Sequence, residues 1–252
     1  MGTGNEHKDH IVRSFDEQLD LLTQSIVRMG GIAESQLSLS IQALVRRDSD
    51  LAGKVVANDA ELDRLEHQVD EMVVRLLALR QPMAIDLRDV ISALKISSDA
   101  ERIGDYIRNI AKRTLALNQL PPIKPLYAIP RMAQLVETSI KDVFDAYVER
   151  DVERAAEVWR RDEEVDEMYT SLFRELLTYM MEDPRSITTC THLLFIAKNI
   201  ERIGDHATNI AEVVTFLVTG KHLTEGRPKG DTTSYTVFTQ DSQEAEGGNH
   251  DA

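Results

Sequence analysis

The chain has 252 residues, 42% of them apolar and 29% charged, and its acidic residues outnumber Lys and Arg by 43 to 29. A formal net charge of −14 argues against a protein that grips nucleic-acid phosphates or anionic lipid, since both need clustered Lys and Arg. The single cysteine, Cys190, cannot form an intrachain disulfide and fits a reducing compartment.

Met1–His10 is polar and charged, without the apolar core of a signal peptide. From Phe15 the apolar residues Leu19, Leu22, Ile26, Met29, Ala33, Leu37, Ile41 and Leu44 recur in steps of three and four, which predicts a long amphipathic helix ending near Arg47. Gly30-Gly31 inside it costs roughly 1 kcal/mol per glycine against alanine, so a kink or a close helix contact is expected there. Asp48 or Ser49 caps a second helix running to Arg80, and Gln81-Pro82 breaks the pattern. A third helix begins near Asp86 and carries Ile96, Ala100, Ile103, Ile107, Ile110 and Leu117 on one stripe.

Residues 118–130 contain Pro121, Pro122, Pro125 and Pro130 and read as a connector. Beyond it the plan repeats: a helix to Arg150, a cap at Asp151, a helix through Val158, Val165, Met168 and Leu172, a break at Asp183-Pro184, and a last helix to about Thr219. The stretches Leu193–Ala197 and Val213–Val218 fall far short of the roughly 20 apolar residues that span a bilayer. A cytoplasmic protein with no membrane insertion is expected. Cys190 has Ile187, Leu193 and Leu194 for neighbours and reads as a buried small hydrophobe. Residues 221–252 are poor in apolar side chains and read as a disordered acidic tail, with a weakly strand-like patch at Tyr235–Phe238. The expected architecture is therefore all-α and internally duplicated: a first repeat over 9–117, the connector, and a second repeat over 131–220.

The duplication is written out in letters. Glu101-Arg102-Ile103-Gly104-Asp105, followed by Asn109-Ile110-Ala111, returns as Glu201-Arg202-Ile203-Gly204-Asp205, followed by Asn209-Ile210-Ala211. Arg28–Asp48 aligns with Arg131–Asp151 at an offset of 103, and the same offset carries Asp59 onto Asp162 and Asp63 onto Asp166. Four carboxylate pairs thus stand at i, i+4 spacing: Asp59/Asp63, Glu101/Asp105, Asp162/Asp166 and Glu201/Asp205. On a helical wheel Glu101, Asp105 and Asn109 lie nearly opposite the isoleucine stripe and face outward, while Asp59 and Asp63 lie on a flank within reach of a neighbouring helix. Like charges at this spacing cost an isolated helix about 0.2–0.5 kcal/mol per pair. A multivalent cation among the oxygens would offset that cost, and carboxylate and amide oxygens suit hard ions such as Fe, Mn, Mg or Ca. The bland alternative is a solvated acidic face balanced by Arg64, Arg102, Arg161 and Arg202. Gly104 and Gly204, costly in mid-helix, admit either a close approach to the backbone or a simple packing notch. His206 adjoins Asp205 but stands opposite Tyr106 in the other repeat, so a structural role suits it better than ligation.

The duplicated ERIGD phrase with Asn-Ile-Ala behind it resembles the PhoU family of bacterial phosphate-signalling and phosphate-transport regulators. The resemblance runs from about Phe15 to Lys221 and includes Arg47-Asp48, Leu79-Arg80-Gln81-Pro82, Glu149-Arg150-Asp151 and Val218-Thr219-Gly220. It implies two three-helix bundles side by side, related by a pseudo-twofold axis. It also implies metal ions, often multinuclear iron or zinc clusters, held by Asp59, Asp63, Glu101 and Asp105 in one half and by Asp162, Asp166, Glu201 and Asp205 in the other. Asn109 and Asn209 extend these motifs by a turn as weaker candidates. Family members are usually homodimers that restrain the high-affinity phosphate ABC transporter, through its ATPase subunit, and a phosphate-sensing histidine kinase.

The leading expectation is accordingly a non-enzymatic, metal-binding adaptor that negatively regulates phosphate uptake and starvation signalling. A di-metal carboxylate enzyme or metal store is the alternative. Such bundles place Glu-x-x-His pairs inward, and none of the seven histidines has a Glu three residues before it. A metal-free scaffold of the same fold is the third reading.

Overall fold

The computed structural model describes the backbone of residues 3–122 and 128–222, with side chains from Phe15 onward. The tail reading over 223–252, including Tyr235–Phe238, and the middle of the connector lie outside the described residues. Seven α-helices follow in order: α1 (Thr3–Arg46), α2 (Ser49–Asn58), α3 (Ala60–Arg80), α4 (Ile85–Leu117), α5 (Ala128–Glu149), α6 (Val152–Glu182) and α7 (Ile187–Thr219). Among the described residues there is no strand. α2 and α3 are the two parts of one rod, so the architecture is six long helices in two sets of three.

The caps are the predicted ones. Asp48 accepts a hydrogen bond from the Leu51 amide at 2.9 Å, and Asp151 accepts from Glu153 and Arg154 at 3.0 Å, each satisfying donors that open a helix. The residues before them, Arg47 and Arg150, are both left-handed, at φ 55° and 58°, and both caps sit at φ −92°, ψ 101°. Two non-glycine residues in that uncommon region, 103 positions apart, show that the repeat is one turn geometry used twice. α7 ends on Gly220 at φ 71°, where a glycine costs nothing.

Two boundaries differ from the sequence reading. α5 opens at Ala128, so Pro130 lies inside its first turn, where a missing amide leaves no bond unmade; the connector thus ends before residue 130. The second rod is interrupted at Asp59, where the Leu62 amide donates to the Asp59 carbonyl three residues back at 3.0 Å. Its counterpart α6 runs unbroken through Asp162. The local difference is Asn58, a poor helix former whose amide competes for backbone bonds, where α6 has Arg161.

The two sets pack through α4 against α7 and α1 against α5. Contacts pair Lys95 with Phe216, Asp99 with His206 and Arg113 with Phe195; numbers rise on α4 as they fall on α7, so the helices are antiparallel. The apolar stripes of all six rods merge into one continuous core that includes Ile26, Leu37, Ile96, Ile103, Ile140, Ile196 and Ile203. Each such side chain stabilises the fold by about 1.5–3 kcal/mol relative to exposure. Cys190 is fully buried. Gly30 provides the expected close contact: a Cβ there would run into the Phe144 ring of α5, whereas Gly31 faces open space.

Candidate metal centre

Both ERIGD glycines sit where the second rod of each half crosses the third. A Cβ at Gly104 would lie 2.5 Å from Leu62 Cδ1 and 3.7 Å from Asp59 Oδ1; at Gly204 it would lie 3.3 Å from Asp162 Oδ1. The glycines therefore bring α3 onto α4 and α6 onto α7, and in each half the first aspartate of the DxxxD pair is laid over the glycine of the ExxxD pair. All eight predicted carboxylates thus gather in two seams, one per half.

The seams are not the solvent-facing ridges expected. Asp59, Asp162, Asp166 and Glu201 are buried, and Asp63, Glu101, Asp105 and Asp205 are half-buried. The wheel placed Glu101 and Glu201 opposite the isoleucines but could not see that the crossing rod covers that face. Burial has a consequence for charge. Glu201 is pushed up to about 7, by burial first, with Asp205 and Asp166 adding repulsion against a hydrogen bond from Lys198. Glu101 is likewise raised to about 7, by burial and then by Asp105, Glu66 and Asp63. Asp59 is raised by burial even though Arg108 opposes the shift.

Three residues that sequence reasoning missed complete the seams. Glu66 continues the Asp59/Asp63 face by one turn and adds a fifth carboxylate to the first half; its own pKa is raised by burial and by Asp70. Arg108 donates through Nη1 to Asp59 and through Nη2 to Asp105 Oδ1 at 2.5 Å, bridging the α3–α4 seam. Lys198 donates to Glu201 Oε1 at 2.8 Å and lies over the Tyr169 ring. The signal was present in the spacing: Arg108 follows Asp105 by three, and Lys198 precedes Glu201 by three. The arginines expected to balance the charge do less. Arg102 makes 3.4 and 3.7 Å contacts with Asp105 and Glu101 from an exposed position, Arg161 turns to Asp142, and Arg202 donates to the Tyr106 hydroxyl.

With Arg108 and Lys198 drawing the carboxylates to themselves, no three Asp, Glu, His or Cys side chains converge on a common point at metal-ligand spacing among the described residues. The second seam nevertheless retains a donor that suits a hard cation: Glu201 Oε2 is buried without a hydrogen-bond partner among the described residues, an arrangement that costs desolvation without return. The oxygen-rich donor set fits such an ion there. In the first seam Arg108 already occupies Asp59 and Asp105. Asn109 is half-buried beside its motif, but Asn209 reaches across to Asp99 of α4 at 3.4 Å rather than towards its own carboxylates. His206 pairs with Asp99 at 2.7 Å and packs near Tyr106, tying α7 to α4. No helix is long and apolar enough to cross a membrane among the described residues.

The chain is similar in sequence and fold to known proteins. The phosphate-specific transport system accessory protein PhoU homolog of Caulobacter vibrioides is 56% identical over 90% of this chain and 99% of its own length, and that of Rhizobium meliloti is 50% identical over 89% and 95%. The crystal structure of PhoU from Pseudomonas aeruginosa superposes with a TM-score of 0.80 at 38% identity, covering 82% of this chain and all of that one. The phosphate transport system regulatory protein PhoU from Streptococcus pneumoniae follows at 0.77 and 31%, covering 84% and 100%. The PhoU domain family matches residues 26–114 and again 129–214, one match per three-helix set, and the chain belongs to that family.

Proposed function

We propose that this protein is a negative regulator of high-affinity phosphate uptake and phosphate-starvation signalling. It works in the cytoplasm, as a homodimer, as a metal-binding adaptor between the ATPase subunit of a phosphate ABC transporter and a sensor histidine kinase. The observation that carries the regulatory reading is the near end-to-end match to relatives named as accessory proteins of phosphate-specific transport. The carboxylate seams carry the metal reading. Asp162, Asp166, Glu201 and Asp205 would hold an ion in the second half, and Asp59, Asp63, Glu101 and Asp105 in the first; iron or zinc suits the family resemblance and Mn, Mg or Ca the oxygen donors. A bound ion would supply positive charge that offsets the repulsion among these carboxylates. The chain's own residues do the rest: the glycines set the rods close, Glu201 offers a buried unpaired oxygen, and Lys198 and Arg108 hold the carboxylates in place until an ion replaces them.

Two experiments test the two parts. Glu201→Ala combined with Asp205→Ala lowers the metal content of protein purified without chelators, and leaves the metal-stripped protein at least as stable because repulsion is removed. A full metal complement in the double variant would show that these are not the ligands. Deleting the gene in its native host derepresses phosphate-scavenging genes in phosphate-rich medium; unchanged expression would refute the signalling role.

A further inference from the structure

The outer edge of the α4–α7 contact carries a group that neither carboxylate seam uses. Near the end of α4, the Arg113 guanidinium lies over the Phe195 ring of α7, its Cζ 4.0 Å from the centroid. Arg28, Arg102, Arg108, Arg150, Arg154 and Arg161 each meet a carboxylate. Arg113 is half-buried and makes no ion pair or hydrogen bond among the described residues. In a chain of net charge −14, a partly desolvated cation without a counter-charge is a cost that an external anion would remove.

A second donor stands beside it. His192 precedes Phe195 by three residues, one turn along α7, and its pKa is lowered by burial and by the charge of Arg113. Both influences favour the neutral ring. Its Nδ1 is buried without a partner among the described residues. A lone pair left unmet there is less costly than a stranded N–H, so the proton belongs on Nε2, which then offers an outward N–H.

We propose that Arg113 and His192, framed by Phe195, form a binding notch for a tetrahedral oxyanion of the phosphate type, as inorganic phosphate or a phosphate monoester. The planar fork of Arg113 matches two oxygens of such an anion at once. His192 Nε2–H supplies a third bond, and Phe195 fixes the plane of the fork by stacking. The notch exists once per chain. At the equivalent positions of the other half stand Val213, Ser92 and Lys95, which cannot reproduce the fork, the imidazole or the ring. The site lies between α4 and α7, outside both carboxylate seams, and does not depend on metal.

The test uses the full chain, freed of metal with a chelator, at constant ionic strength set with chloride. Inorganic phosphate and, separately, phosphoserine are titrated while the imidazole resonances of His192 are followed by NMR. A saturable shift is expected. Arg113→Gln weakens it at least about tenfold, the scale for losing one charge-assisted bidentate pair, and Arg113→Lys, which keeps charge without the fork, falls between. Response to phosphate alone identifies the free ion as ligand; response to phosphoserine alone identifies a monoester. No saturable movement with either, or an equal response in Arg113→Gln, overturns the proposal, and leaves the metal reading of the seams untouched.

Discussion

Replacing Arg108 by Thr, the residue at the equivalent position 208, separates the two seams experimentally. The Arg108 side chain is 29% exposed, and its partners Asp59 and Asp105 are 7% and 23% exposed. The bridge lies between two regimes: exposed pairs are worth about 0.2–1 kcal/mol, whereas breaking a buried pair costs about 3–5 kcal/mol. Without metal at neutral pH the substitution should cost about 1–3 kcal/mol. The loss is capped because Asp59, already raised by burial, can take up a proton once the guanidinium is gone. For a chain of this size that is a drop in Tm of roughly 2–12 °C. Manganese should then stabilise the variant by more than it stabilises the parent. In the parent it must displace Arg108 from two carboxylates; in the variant the first seam is open, and an ion at 100 times its Kd stabilises by about 2.7 kcal/mol. Thermal unfolding with and without Mn²⁺ measures both effects, with Arg102→Thr as an exposed control expected to move Tm little. Equal Tm values for parent and Arg108→Thr without metal, or equal increments on adding Mn²⁺, would refute the account of Arg108 as a resident cation.

The glycine pair in α1 gives a sharper structural contrast. Gly30→Ala drives a methyl into the Phe144 ring and should destabilise by about 1–3 kcal/mol, whereas Gly31→Ala meets open space and should stabilise by about 0.5–1 kcal/mol; urea denaturation of the two variants checks the opposite signs. A pH series tests Glu201. Its folded pKa of about 7 stands above the ordinary glutamate value of 4.5, so between those values the folded state holds more protons and stability falls as pH rises. Chelator-treated parent protein should therefore lose stability from pH 5 to 8, by roughly 3 kcal/mol at most from this group. Glu201→Gln, which removes the titration, should match the parent near pH 5 and exceed it near pH 8. Parallel pH profiles for the two proteins would show that Glu201 is not the group responsible.

Most of the helical plan was legible because the core is built from unbroken i, i+3, i+4 stripes and ended by residues with one local meaning. Ile96, Ala100, Ile103, Ile107 and Ile110 are all buried as their spacing requires, and Asp48 and Asp151 cap as aspartates do. The interruption at Asp59 was not legible, since Asn58, where the other half has Arg161, is a local exchange that carries no break signal of its own in the sequence. The pairing of the carboxylates between neighbouring rods was legible, and their environment was not. Spacing placed Asp59 and Asp63 on a flank that could meet the next helix, and they do meet it. It placed Glu201 in solvent, because a helical wheel shows which side of one helix is apolar but not that Gly204 lets α6 close over the polar side. The resident cations were hidden for a related reason. Arg108 and Arg102 stand equally close to Asp105 in sequence, and only the crossing rod makes Arg108 the one that also reaches Asp59.

The two halves share one solution to like-charge crowding but reach it with different side chains, and this sets an order of filling on the metal reading. The first seam holds five carboxylates, with Glu66 where the second has Tyr169, and is tied across by a guanidinium bonded to both rods. Position 208 has only Thr, whose hydroxyl donates to the Gly204 carbonyl at 3.0 Å and never enters the seam. The second seam relies on Lys198, a point charge on a flexible stem, where the first has Ser98. Displacing an ammonium from Glu201 demands less geometric loss than displacing a fork that joins Asp59 to Asp105. The unpaired Glu201 Oε2 gives an arriving ion an immediate partner. The second seam should therefore fill first, and the first should follow only when the ion's attraction to five carboxylates exceeds what Arg108 already provides. Duplication produced two equal frames, and on the metal reading three exchanged residues, at 66/169, 108/208 and 98/198, would make them unequal in affinity.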